Sequence, residues 1–256
     1  MTSEDQSPDR VGPVRRSNGG RDASRGGSGR QTRARAGPRR PRDSLSREII
    51  LAAAEELATE SGLDALTFQA LGDRLQAHPT SIYRYFRDKD DLVLELVDAL
   101  RARSYISDLH ASDDWLDDLR QLAQHIRAHY LRYPQFALQM AMRTTHRPTE
   151  FGNVEFALDA LRRGGIEDDE AVVVMRALGN FIRSTASAEA AYTVLDPEVR
   201  LRDETAWQVE YRHLAPESYP NIARVADRFL TIGDPIGFDR ALDLILDGIA
   251  RRARGS

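Results

Sequence analysis

Leu66-Thr67-Phe68-Gln69-Ala70-Leu71-Gly72-Asp73-Arg74-Leu75-Gln76-Ala77-His78-Pro79-Thr80-Ser81-Ile82-Tyr83-Arg84-Tyr85-Phe86 is the stretch on which the fold turns. Its apolar residues recur every three or four positions, the period of a helix rather than a strand. Thr67 is placed to cap a short helix with Phe68, Leu71 and Leu75 inward. A second helix is expected from Pro79 to Phe86, with Pro79 suited to a first turn and Ile82 and Phe86 on the buried side. Upstream, Ser46 can cap a helix whose inner face is Ile49, Ile50, Ala53, Leu57 and Ala58, and Gly62 supplies the stop. Downstream, Asp88 starts a fourth helix, with Asp91 in the place of a capping-box acid and a stripe of Leu92, Val93, Leu96, Val97 and Leu100.

Three short helices in about forty residues, two of them joined by a tight turn, suggest a helix-turn-helix. Such a unit must bury one side of its third helix and offer the other to a major groove. Residues 79–86 meet that demand: Ile82 and Phe86 face inward, leaving Thr80, Ser81, Tyr83, Arg84 and Tyr85 outside. Hydroxyls, phenols and a guanidinium suit phosphates and base edges. Lys89 opens the next helix, where free amides and a cation together can hold a phosphate.

The remaining chain reads as helix: Asp114 to Arg132, closed by Pro134; 135–144; 149–163, stopped by Gly164-Gly165; 169–192; 219–230; and 235–252, with a looser acidic region around Trp207. No alternating pattern exceeds four residues, so the expected fold is all-α, without an internal repeat. The first 43 residues hold eleven Arg against five acids and no Leu, Ile or aromatic residue, which predicts a disordered arm. That arm is either a solvated leader or a non-specific phosphate contact. Residues 44–91 carry five basic and nine acidic residues, so the helix-turn-helix itself is net negative.

Absent cysteine excludes disulfides, thiolate nucleophiles and Cys-ligated metals. No apolar run is long enough for a membrane span and no apolar leader is present, so a cytoplasmic location is expected. No nucleophile elbow, phosphate loop, dinucleotide fingerprint or His-Glu-x-x-His occurs, so no catalytic residues and no cofactor are expected. His125 and His129, four apart on one helix, have metal-binding spacing but no evident third ligand, and no metal site is assigned.

The stretch Ser46–Leu100, above all 66–75 and Thr80-Ser81-Ile82-Tyr83-Arg84-Tyr85-Phe86-Arg87-Asp88-Lys89-Asp90-Asp91-Leu92, resembles the DNA-binding domain of the tetracycline-repressor (TetR) family. Phe238–Ile249 is similar to the last helix of that family's regulatory domain. The resemblance implies an N-terminal three-helix DNA-binding domain at 44–104, with its motif at 67–86, and a helical ligand-binding and dimerisation domain at 105–256. It implies a homodimer on a palindromic double-stranded operator, more often repressing than activating, released by a small-molecule effector.

By position, Thr67 and Gln69 would contact DNA from the second helix, Pro79, Thr80, Ser81, Tyr83, Arg84 and Tyr85 from the third, and Lys89 from the fourth. Tyr83 and Lys89 would anchor phosphates; Gln69, Thr80 and Arg84 would read bases. Where the family has Gly-Val in the turn this chain has Gln76-Ala77, which predicts strain at Gln76, and His78 predicts a poorer cap for the third helix. The middle helices would enclose the effector, with Tyr105, His125, His129, Phe136, Met140, Met142, Phe156 and Phe181 as lining candidates. Small residues of the 169–192 helix (Ala177, Gly179, Ser184, Ala186, Ala188, Ala190), with the last helix, would form the dimer interface. Two alternatives are a general nucleic-acid-binding protein driven by the arginine arm and a small-molecule sensor acting through protein contacts.

Overall fold

The structure, a computed structural model, describes residues 45–230 and 234–254, which contain helices and no strand. The arginine-rich arm lies outside the described residues. Four helices form the head: α1 (Arg47–Ser61), α2 (Phe68–Leu75), α3 (Pro79–Ile82) and α4 (Lys89–Ser104). Their starts follow the capping residues: Ser46, Thr67 and Asp88 each accept a hydrogen bond from the backbone N–H three residues on. The Asp91 carboxylate accepts from Arg87 N–H, one residue before the cap, rather than from the cap residue's own N–H as in a capping box.

Seven helices follow: α5 (Trp115–Arg132), α6 (Ala137–Met142), α7 (Pro148–Arg163), α8 (Asp168–Thr193), α9 (Pro197–Gln208), α10 (Pro220–Val225) and α11 (Pro235–Ala253). Two apolar clusters hold them. One combines the inner faces of α1–α4 with Tyr130 of α5, Phe136, Ala137 and Met140 around α6, and Ala186 and Ala190 of α8. The other joins α5, α7, α8 and α11 through Leu119, Leu122, Leu161, Leu178, Phe238, Leu242 and Leu246. Ile126 packs against both. Beneath α5, Asp118 is fully buried and accepts from Ser112 N–H and from Arg163, closing the α5 start onto the α7 end.

Three expectations change. The third helix ends at Ile82 rather than Phe86 and continues as a turn, Tyr85 N–H reaching Ile82 O at 2.9 Å. Tyr83, Tyr85 and Phe86 crowd the preceding turn, which lowers helix propensity there. The region around Trp207 is the helix α9; none of its residues is buried, so it left no apolar stripe in the sequence, although Asp196 and Pro197 give its start. The small residues of α8 divide between surroundings: Ala186 and Ala190 are buried core, Gly179 lines a cavity, and Ala177, Ser184 and Ala188 are exposed.

Candidate nucleic-acid interface and interior cavity

The turn between α2 and α3 sets the reading surface. Gln76 ends α2 in the left-handed region at φ 53°, ψ 37°, as the missing glycine predicts. Ala77 N–H donates to Gly72 O at 2.9 Å, drawing the turn across α2. That approach needs Gly72: a Cβ there would lie 2.7 Å from Ala77 O and 3.3 Å from the Pro79 ring. Pro79 then opens α3. The cap is better than His78 suggested, because the imidazole Nδ1 accepts from Thr80 N–H at 3.3 Å and lies 2.9 Å from Thr80 Oγ1.

Ile82 and Phe86 are buried, and Thr80, Tyr83 and Arg84 are exposed with Ser81 and Pro79 half-buried beside them. Tyr83 stands edge-on to Phe68 at 4.6 Å, so a rigid ring carries its hydroxyl outward. Thr67 and Gln69 are exposed on α2, and Gln69 Nε2 donates to Asp73 at 3.0 Å. Two candidates are engaged inside the head. Tyr85 donates its hydroxyl to Leu45 O, which ties it to the α1 entrance rather than the outer face. Lys89 Nζ donates to Leu63 O at 2.8 Å and keeps two further N–H bonds to offer.

Several of the head's acids are held in ion pairs. Arg74 pairs with Glu56 and Glu60, Arg47 with Glu95, Arg143 with Asp90 at 2.5 and 2.7 Å, and Arg147 with Asp91 at 2.9 Å. The Arg143 guanidinium holds the Asp90 carboxyl below its ordinary range, although partial burial opposes this. The last two pairs join the α4 first turn to the 143–147 loop before α7. Glu150 clamps that loop through Thr145 and His146 N–H, and the α7 N-terminus docks on α4 where Thr149 donates to Asp98 from N and Oγ1 at 3.1 and 2.6 Å.

Behind this loop a cavity of about 510 Å³ lies among α4, α5, α7 and α8. Its apolar wall is Leu122, Ile126, Met175, Leu178 and Ile182; its polar groups include Arg101, Tyr105, Tyr130 and Asn153. Of the lining candidates read from sequence, Tyr105 reaches it, its hydroxyl accepting from Asn153 Nδ2 at 2.9 Å. His125 and His129 stand behind Tyr105, with ring centroids 6.0 and 5.6 Å away. Phe136 and Met140 are taken up by the head's own core, and Phe156 by the packing of α7. Met142 and Phe181 border an open groove on the other side of α8, Phe181 stacking on Phe238 at 5.4 Å. Their helical spacing reported burial or exposure correctly for a bundle, but not which side of the bundle is hollow.

Arg101 is the residue that sequence reasoning missed. Its signal is visible in retrospect: doublets 92/93 and 96/97 are apolar, and Arg101 takes the second place of the third doublet, where it is 7% exposed. Burial, with the charges of Arg101 and Arg132, pushes His129 down to about 3, so this imidazole is neutral near pH 7. Among the described residues no group of three or more His, Asp or Glu is placed to hold a metal, and no helix is long and apolar enough to cross a membrane.

Known proteins share this fold. Residues 50–96 match the family model for bacterial regulatory proteins of the tetR family, and 109–253 that for the tetracyclin repressor-like C-terminal domain. An HTH-type transcriptional regulator of Saccharopolyspora erythraea is 27% identical over 84% of this chain and 88% of its own length. The tetracycline repressor protein class G of Vibrio anguillarum is 28% identical over 81% of this chain and 94% of its own. In structure, ActR of Streptomyces coelicolor, solved in complex with actinorhodin, superposes with a TM-score of 0.72 at 20% identity, over 82% of this chain and 98% of that one.

Proposed function

The chain belongs to the tetracycline-repressor family of DNA-binding transcriptional regulators, and from that premise we propose that it is a homodimeric repressor released from a palindromic operator by a small molecule. The observation that carries this is the link between the two sites. The loop 143–147 borders the cavity through Arg143 and grips the α4 first turn at Asp90 and Asp91, one and two residues from Lys89. A ligand that displaces this loop moves α4, and with it the head that carries α3. Operator affinity then falls by the ligand's preference for the displaced state.

On DNA, Arg84, Thr80 and Gln69 read base edges, while Thr67, Ser81, Tyr83 and Lys89 position the head on phosphates and Pro79 packs at the groove wall. Tyr85 acts from within, by fixing α3 to the α1 entrance. Val172 and Val173 of α8 and Leu244 of α11 are each more than half exposed, and these two helices supply the face for a second copy. The reading requires no catalytic group or cofactor, and it places the protein in the cytoplasm, with the chromosome.

Selection of bound duplexes from a random library tests it. One palindrome should be preferred over random duplex by about a thousandfold or more. Tyr83→Ala with Lys89→Ala should abolish that preference while the far-ultraviolet spectrum stays helical. A preference below about tenfold, or a monomer by light scattering, would remove the reading.

A further inference from the structure

The cavity wall holds a charge that the protein does not balance. Arg101, on the buried face of α4, forms no ion pair with any described residue. The two glutamates on the lining do not supply one: Glu150 is occupied by Thr145 and His146, and Glu155 is exposed. His129 beside it is neutral, and Arg183 across the cavity adds a second positive charge; burial raises the Tyr130 phenol, and the two guanidinia only partly oppose that rise. A buried guanidinium without a counter-anion is costly. Two further groups stand unsatisfied at the same place: Tyr130 Oη has no hydrogen-bond partner of acceptable geometry, and neither has Asn153 Oδ1. Arg143, which pairs with Asp90, and Arg176 also border the cavity, so its positive charge outweighs its negative charge, while Leu122, Ile126, Met175, Leu178 and Ile182 make an apolar wall.

We propose that the cavity takes an organic acid, its anionic group pairing with Arg101 and accepting from Tyr130 O–H, its apolar body lying against Leu122, Ile126, Met175, Leu178 and Ile182. A hydroxyl on that body meets Asn153. This rests on the cavity being the effector site, and it adds the chemical class: an amphipathic acid rather than a neutral or cationic compound. The anion is what the unpaired guanidinium lacks, and charge-assisted bonds in a half-enclosed apolar chamber are strong enough to set the choice.

A matched pair of fluorescent probes tests it on the full chain: 8-anilinonaphthalene-1-sulfonate, and N-phenyl-1-naphthylamine, which has the same rings without the sulfonate. The sulfonate should bind roughly tenfold or more tightly than the neutral probe, the scale of one charge-assisted pair. Arg101→Met should erase that preference and leave the neutral probe within about twofold. Arg101→Gln, which retains hydrogen bonding without charge, should behave likewise and serves if the Met variant does not fold. Met175→Trp, filling the apolar end, should weaken both probes. Equal affinities in the unaltered protein, or a preference that survives loss of Arg101, would overturn the acid assignment while leaving the cavity as a ligand site. Failure of both probes to bind, or indifference to Met175→Trp, would overturn the cavity reading itself.

Discussion

Gly72→Ala adds a single methyl at the point where α2 and its turn touch. The new Cβ would stand 2.7 Å from Ala77 O and 3.3 Å from Cγ and Cδ of Pro79. Neither neighbour can rotate aside: one is backbone, and the other is a ring fixed at the first position of α3. Ala77 must therefore retreat, which lengthens its 2.9 Å bond to Gly72 O. Alanine gains about 1 kcal/mol over glycine inside a helix. Against this stand overpacking of about 1–3 kcal/mol and a weakened hydrogen bond of about 0.5–1.5 kcal/mol. The net is a destabilisation of about 0.5–3.5 kcal/mol, or roughly 1–14 °C in Tm for a chain of this size. Scanning calorimetry at matched protein concentration reads it, since self-association shifts Tm. The displaced turn carries Pro79 with it, so operator affinity should fall as well. An unchanged or raised Tm together with undiminished operator binding would refute the close approach of α2 and the turn, and with it the stated placement of α3.

Gln76→Gly should act in the opposite sense: relief of the left-handed backbone, about 1 kcal/mol, offsets the extra unfolded-state entropy of glycine, and Tm should hold or rise by a few degrees. A clear drop would show that the Gln76 side chain contributes more than its backbone costs. His129 should make stability pH-dependent. Its folded pKa lies below the ordinary 6.5, at about 3, so its contribution is complete above 6.5 and drains by about 1.4 kcal/mol per pH unit below it as the unfolded chain takes up the proton first. Urea denaturation at pH 7, 6 and 5 should give a shallower fall for His129→Phe than for the unaltered protein; parallel slopes would place the titration elsewhere. Burial would raise the Asp118 carboxyl, but its bonds from Arg163 and Ser112 outweigh this and hold it below the ordinary 3.8. Asp118→Asn should therefore cost about 2–4 kcal/mol at pH 7, a deficit that narrows as pH falls through the depressed folded value and the native carboxylate protonates too. A deficit constant down to pH 2 would count against the ion pair as its source.

Caps and periodicity carried most of the fold because both are local. Ser46, Thr67, Asp88 and Asp114 start helices where their side chains reach free amides, and a reader of the sequence needs nothing further. The outer face of α3 was legible for the same reason, since buried Ile82 fixes its rotation, although Phe86 anchors the turn that follows rather than the helix itself. The cavity was not. Phe136 and Met140 have the spacing of a pocket wall and the surroundings of a core, a difference set by which helices stand opposite them. Tyr85 looks like its exposed neighbours Tyr83 and Arg84 until Leu45, forty residues away, is brought beneath it. Arg101 offered a local clue, a charge inside an apolar doublet pattern, and such breaks merit more weight than aromatic residues in seeking a ligand chamber.

The seam formed by Tyr130, Phe136, Met140, Ala186 and Ala190 with the inner faces of α1–α4 has a practical meaning for chimaeras. Cutting after Ser104 would strip those contacts and leave greasy flanks of the excised fragment facing water. Transplanting this head onto another sensor therefore requires carrying the seam along, or matching its shapes in the recipient. Specificity for DNA and sensitivity to ligand are, in this chain, heritable only as a joint property.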